Sequence, residues 1–241
     1  MRQKFLTHSF VCAALAMFCP AALAEHSDVT FLYQAWKVLI EPGPEGLVFE
    51  GEFPTSGFFE QFTTNPGFAS ETLDGLGIGP NDQIDYEVLG PLVFHDGAGF
   101  ASVPAGAMLS IADNPFGSLT VDDSTLGPVS GPGLIGSADG TGDFHSHISF
   151  TLQPLSLDAP AFGAYGLLMR LTTDHFGVST SDPFFIVSNF GLDEAPFGAA
   201  VEDFAGLLAV PEPSTFGLMG IAIGLLCLVV WLRRPARFAA G

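Results

Sequence analysis

The chain has 241 residues, 26 of them Asp or Glu against 7 Lys or Arg, for a formal net charge of −19. A protein so negative repels nucleic acid and anionic membrane surfaces and attracts cations or cationic polymers, which excludes nucleic acid as a partner. The imbalance is steepest in the middle: Arg2, Lys4, Arg233, Arg234 and Arg237 lie near the termini, so residues 25–210 keep only Lys37 and Arg170 against twenty-five acids, close to −23.

Such a surface suits cation binding, and equally a plain solubility or salt adaptation. The three cysteines, Cys12, Cys19 and Cys227, all fall outside residues 25–210, so that region forms no disulfide and must rely on a packed core. Its nineteen phenylalanines supply one and argue against disorder.

At the N-terminus Arg2 and Lys4 form a positive n-region, Phe10 to Phe18 an apolar h-region, and Ala22-Leu23-Ala24 an A-x-A site. These predict a signal peptide over 1–24, cut after Ala24 by signal peptidase, so that the exported chain begins at Glu25. Cys19 makes a poor lipoprotein site, because bulky Phe18 stands where a small residue is wanted.

Beyond Glu25 the pattern is short alternating runs broken by Gly, Pro, Asp and Asn. Strands are predicted at Val29–Tyr33, Trp36–Ile40, 47–53, 83–89, Leu92–His95, Met108–Ala112, Ser118–Val121, His145–Leu152, Tyr165–Thr172 and Phe184–Ser188. Within 47–53, Leu47, Phe49 and Phe53 face one way while Glu50 and Glu52 face the other. Residues 68–73 read as one helical turn capped by Ser70. Residues 122–142, rich in Gly, Pro, Ser and Asp, read as a long surface loop or a boundary between sub-lobes. Arg170 is expected to face solvent. No long amphipathic helix is expected, and residues 194–209 read as a partly flexible stalk. The fold class is all-β, a β-sandwich or jelly-roll ectodomain over 25–193.

Enzyme signatures are mostly missing: no Gly-x-Ser-x-Gly, His-Glu-x-x-His, P-loop or dinucleotide-binding glycine pattern occurs. With so many acids, no carboxylate pair stands out as a glycosidase dyad. The reading is therefore not an enzyme, with no catalytic residue assigned. One stretch carries possible chemistry, "GTGDFHSHISF". Strand alternation puts His145, His147, Ser149 and Thr151 on one face and Phe144, Ile148, Phe150 and Leu152 on the other. Two neutral imidazoles at i and i+2 suit zinc, which takes three or four N, S or O ligands; His26, His95 and His175 are candidate further ligands. Two histidines decorating a polar face explain the pattern as well. Calcium is the weaker cofactor candidate, at Asp122-Asp123 and Asp139 to Asp143, where turn chemistry explains the Asp-Gly pairs equally well. The run from His145 through "FGAYGLLMRLTT" to "SDPFFIVSN" also resembles bacterial surface-anchored domains with a His-x-His strand followed by a Gly-x-Tyr strand. Some of those are linked to zinc homeostasis, so the likeness implies metal binding.

The tail has three parts. Pro211-Glu212-Pro213 must be extended, since each proline fixes its own φ and restricts its predecessor. Phe216 to Leu232 is an uncharged apolar run near the lower length limit for a transmembrane helix, with Gly220 and Gly224 in small-xxx-small spacing. Arg233, Arg234 and Arg237 hold the end on the cytoplasmic side. In this order and place the three resemble the PEP-CTERM sorting domain of Gram-negative bacteria, over residues 210–241 with the helix at 216–232. That resemblance implies an exosortase partner, cleavage near the motif, and delivery to the cell surface or extracellular matrix, with exopolysaccharide as a further partner there. Together these give an exported structural or adhesive β-protein, with a surface zinc-binding domain as the alternative and a secreted hydrolase third.

Overall fold

The computed structural model describes residues 28–57, 60–113, 117–129, 133–154 and 160–208. The signal peptide, Ala24, His26, the Pro211–Pro213 motif and the transmembrane helix expected at 216–232 lie outside them. No described helix is long and apolar enough to cross a membrane.

In chain order the strands begin with β1 (Val29–Gln34) and β2 (Lys37–Ile40), a hairpin, then β3 (Val48–Glu52), β4 (Phe62–Thr63) and β5 (Phe68–Ser70). Next come β6 (Gln83–Val88), β7 (Val93–His95), β8 (Phe100–Ala101), β9 (Ala107–Ala112) and β10 (Ser118–Val121). The last are β11 (Leu134–Ser137), β12 (Phe144–Ser146), β13 (Ser149–Pro154), β14 (Gly163–Thr173) and β15 (Phe184–Phe190), followed by helix α1 (Glu194–Leu208).

Hydrogen bonding groups the strands into three sheets: β12-β5-β1-β2, β10-β9-β13-β4, and a larger one, β11-β6-β14-β15-β3, with β7 and β8 attached through β14. The all-β class is as the alternating pattern predicts. Alternation works because successive side chains point to opposite faces, so β1 buries Val29 and Phe31 and β6 buries Ile84, Tyr86 and Val88. All three sheets send residues into one core, among them Phe31, Phe49, Leu109, Phe144, Phe150, Leu167 and Phe184. Its aromatic pairs meet edge to face, Phe31 with Phe144 at 5.3 Å and Phe49 with Phe184 at 5.7 Å between centroids, the geometry favoured by the ring quadrupole.

Five expectations need correction. The single strand expected over His145–Leu152 is two, β12 and β13, in different sheets, although Phe144, Ile148, Phe150 and Leu152 are all buried as the alternation requires. Residues 68–73 are strand β5 and then a 3₁₀ turn at Thr72–Asp74; Ser70 is not its cap but takes the Gly77 N–H on its hydroxyl. The stretch 122–142 contributes β11 to the large sheet, and Val129 bridges to Val88, so it extends the domain rather than dividing it. Arg170 faces Glu87 directly across β14 and β6 and binds it, Nε to Oε2 at 2.6 Å.

The stalk is the fifth: residues 194–208 form α1. Phe197, Ala200, Val201 and Phe204 recur at i, i+3, i+4 and i+7 and are buried, the spacing of a one-sided apolar stripe. Pro196 sits in the first turn, where a missing N–H costs nothing, and Asp193 accepts from the Phe197 N–H. Phe204 packs on Phe100 and Phe185, each at 5.1 Å, and over Gly166, where a Cβ would come within 2.1 Å of its ring.

Candidate metal centre

Three neighbouring strands build the site. β1 runs parallel to β5, pairing Val29 with Phe68, and β12 runs antiparallel to β5, pairing Ser146 with Phe68. One residue beyond those pairs, Asp28, Gly67 and His147 fall in a single row, and His145 stands one side-chain repeat away opposite Ala69. The middle position of the row must be bare. A Cβ on Gly67 would lie 2.5 Å from His147 Cε1 and 2.8 Å from Asp28 Oδ1, so glycine lets both flanking side chains lean inward.

They converge there. His145 Nε2 is 3.2 Å from His147 Nε2 and 3.3 Å from Asp28 Oδ2, and one ligand atom from each of the three residues lies within 4.8 Å of the others. The imidazole rings are 5.3 Å apart and tilted by 30°. Each group is also held from behind. His147 Nδ1–H donates to the Thr64 carbonyl at 2.9 Å, which leaves its Nε2 as the inward nitrogen. Asp28 Oδ1 accepts the Gly67 N–H at 3.0 Å, which leaves Oδ2. His145 Nδ1 faces Glu71 Oε1 at 3.6 Å. The site opens to solvent, with the His145 side chain 52% exposed. Beside it lies a cavity of about 320 Å³ lined by Glu71, Leu73, Asp139, Asp143, Phe144 and His145.

Of the expected ligands that lie among the described residues, the structure brings His145 and His147 together and places His95 and His175 with other partners. His95 is buried at 1% exposure, and both its nitrogens are occupied: Nδ1 accepts the Gly97 N–H and Nε2–H donates to Asp203 at 3.0 Å. His175 pairs with Asp82 at 2.7 Å beside Tyr33. There burial pushes the Tyr33 hydroxyl far above its ordinary value. Ser149, expected on the histidine face, turns its hydroxyl to the Ala112 carbonyl. The residue that sequence reasoning missed is Asp28. Its only advance sign is its place next to a predicted strand, because the parallel pairing that brings it in leaves no local trace.

Three of the four aspartates of the calcium reading, Asp122, Asp139 and Asp143, are engaged in hydrogen bonds. Asp122 accepts from the Ser124 N–H and hydroxyl, Asp139 from the Thr141 N–H and hydroxyl and from the Asp143 N–H, and Asp143 from the Thr72 N–H and hydroxyl. These bonds to the ionised form hold all three carboxyls below the usual range. Among the described residues, Asp28, His145 and His147 are the group of three or more metal-ligating side chains that converges.

No curated protein and no solved structure matches the chain. Residues 209–234, directly after α1, match the PEP-CTERM protein-sorting motif. The motif supports exosortase-dependent export and sorting to the cell surface in a Gram-negative bacterium. The chain thus carries a PEP-CTERM protein-sorting motif, with a β-rich domain ahead of it.

Proposed function

We propose that this surface-sorted β-domain binds one divalent transition metal of the zinc class at Asp28, His145 and His147, in a structural and not a catalytic role. One observation carries the reading: the 3.2 Å and 3.3 Å separations among the inward atoms. Ligand atoms at the corners of a tetrahedron with zinc bonds of ~2.0–2.1 Å are about 3.3–3.4 Å apart. Two imidazole nitrogens favour zinc, copper or nickel over calcium or magnesium, which take oxygen. The partners behind His147 and Asp28 are the outer-shell bonds that such ligands usually have.

The non-catalytic reading rests on where the nearby carboxylates point. Glu71 faces Nδ1, the back of the His145 ring, where it cannot take a proton from a metal-bound water. Asp139 and Asp143 are engaged with Thr141 and Thr72. The sorted protein then acts at the surface or in the extracellular matrix as a structural element that the metal ties together. A second reading is adhesive, with exopolysaccharide as partner. It is favoured by Trp36 and Phe176, 75% and 96% exposed on turns joined through the Lys37–Ser179 bridge.

Metal content of the full chain, purified natively and measured by mass spectrometry beside a His145→Ala/His147→Ala variant, tests the proposal. Stoichiometric zinc in the parent and none in an equally folded variant is the expected result. Equal, trace metal in both would leave the adhesive reading.

A further inference from the structure

We propose that Glu71 is the positioning carboxylate of this metal centre, holding His145 so that its Nε2 faces His147 and Asp28. The inference rests on the metal reading above and adds the residue that makes the third ligand geometry hold. An imidazole binds a metal well through one nitrogen only when the other is oriented by a partner that fixes the tautomer and the ring angle. His147 has the Thr64 carbonyl for this, and Asp28 has the Gly67 N–H. At the back of His145 the facing group is Glu71 Oε1, 3.6 Å from Nδ1.

The backbone holds Glu71 in place from both sides. Glu71 follows the last residue of β5 and is itself extended, with φ −104° and ψ 128°. Its carbonyl accepts from the N–H groups of Asp74 and Leu76. The next residue, Thr72, gives both its N–H and its hydroxyl to Asp143 Oδ1, at 2.5 Å and 2.6 Å. Asp143 lies two residues before His145, so the Asp143–Thr72 clasp ties the segment carrying Glu71 to the segment carrying His145. The separation of 3.6 Å is too long for a hydrogen bond. The Glu71 side chain is 43% exposed and borders the open cavity beside His145, which leaves its carboxylate room to move toward Nδ1. Glu71 does not serve as a ligand itself, because it stands on the Nδ1 side of the ring, away from the point where the other two ligands converge.

The alternative is an incidental exposed ion pair, which contributes little to anything. Zinc affinity of the full chain, measured against a competing chelator, separates the two, with Co²⁺ absorption as a report on coordination geometry. Glu71→Ala is expected to weaken zinc about 10–100-fold and to alter the Co²⁺ bands. Glu71→Gln, whose amide oxygen still accepts from Nδ1–H, restores most of both. Glu71→Asp keeps the charge but withdraws it by one methylene, and is expected to behave like the alanine variant. Should all three variants stay within twofold of the parent with an unchanged Co²⁺ spectrum, Glu71 has no positioning role while the metal site stands. A parent chain that binds no zinc overturns the metal reading, and the role of Glu71 with it.

Discussion

Two histidine–aspartate groupings in this molecule have opposite characters. His95 is sealed under α1, one ring nitrogen on the Gly97 N–H and the other on Asp203, so no lone pair is left for a ligand. His145 and His147 stand at the surface with Asp28, and their inward atoms point at one another instead of at separate partners. Residue type is the same in both places. What differs is where the second ring nitrogen goes, and that decides whether a histidine packs a core or presents a site. The buried grouping is therefore expected to show itself in stability and the exposed one in affinity.

The largest effect falls on the buried side. Phe204 touches Phe100, which in turn meets the His95 ring at 5.3 Å. Phe204→Ala should cost about 3–5 kcal/mol, read as a lowered denaturant midpoint, because it removes the ring filling the space over Gly166. Zinc affinity should be untouched. A metal defect in this variant would mean that the two regions are coupled, and the contrast between them would fail.

A reciprocal pair of variants sharpens the same contrast. Asp28→Ala removes one of three ligands and is expected to weaken zinc by more than about 100-fold, beyond the usual loss from an outer-shell change, with little change in apo stability. Asp203→Ala leaves the buried His95 Nε2–H without its acceptor and should cost about 1–3 kcal/mol, with zinc binding intact. Calorimetric titration and chemical denaturation of each variant supply the four numbers. Gly67→Ala lies between them: the added methyl meets His147 and Asp28 at under 3 Å, so affinity should fall at least tenfold, about 1.4 kcal/mol.

How far this site was legible in the sequence follows from its geometry. His145 and His147 are two apart in a run whose alternate residues are apolar, so a period of two places them together on the outer face, and that survives even the break between β12 and β13. Asp28 and Glu71 belong to segments about 117 and 74 residues away from His145 along the chain, joined to it through β5 and, for Glu71, through the Asp143–Thr72 bonds as well. A parallel pairing such as β1 with β5 has no turn to announce it. The α1 stripe, Phe197 to Phe204, was present in the letters, but Pro196, Gly198 and Gly206 lower helix propensity, and only packing against the sheet outweighs them. Arg170 likewise looks solvated until β14 and β6 are registered and Glu87 appears opposite.

The smallest effect concerns the aspartates that a calcium reading would use, and it sets a third kind of carboxylate beside Asp28 and Asp203. Asp122 is half-buried and Asp139 exposed, yet in both hydroxyl and backbone N–H donors hold the carboxyl below the ordinary 3.8. A carboxyl with a depressed folded value stabilises the fold above the unfolded value, and that contribution disappears as pH falls through the folded one. Asp122→Asn/Asp139→Asn should therefore melt slightly below the parent at pH 6, with the gap closing as the buffer is taken under pH 3.8. Calcium should shift neither melting point, since the oxygens it needs already serve the Ser124 and Thr141 turns. A calcium-dependent rise in the parent alone would return these loops to the list of cation sites. It would also show that exposed acids, and not only the histidine row, carry the affinity of this surface.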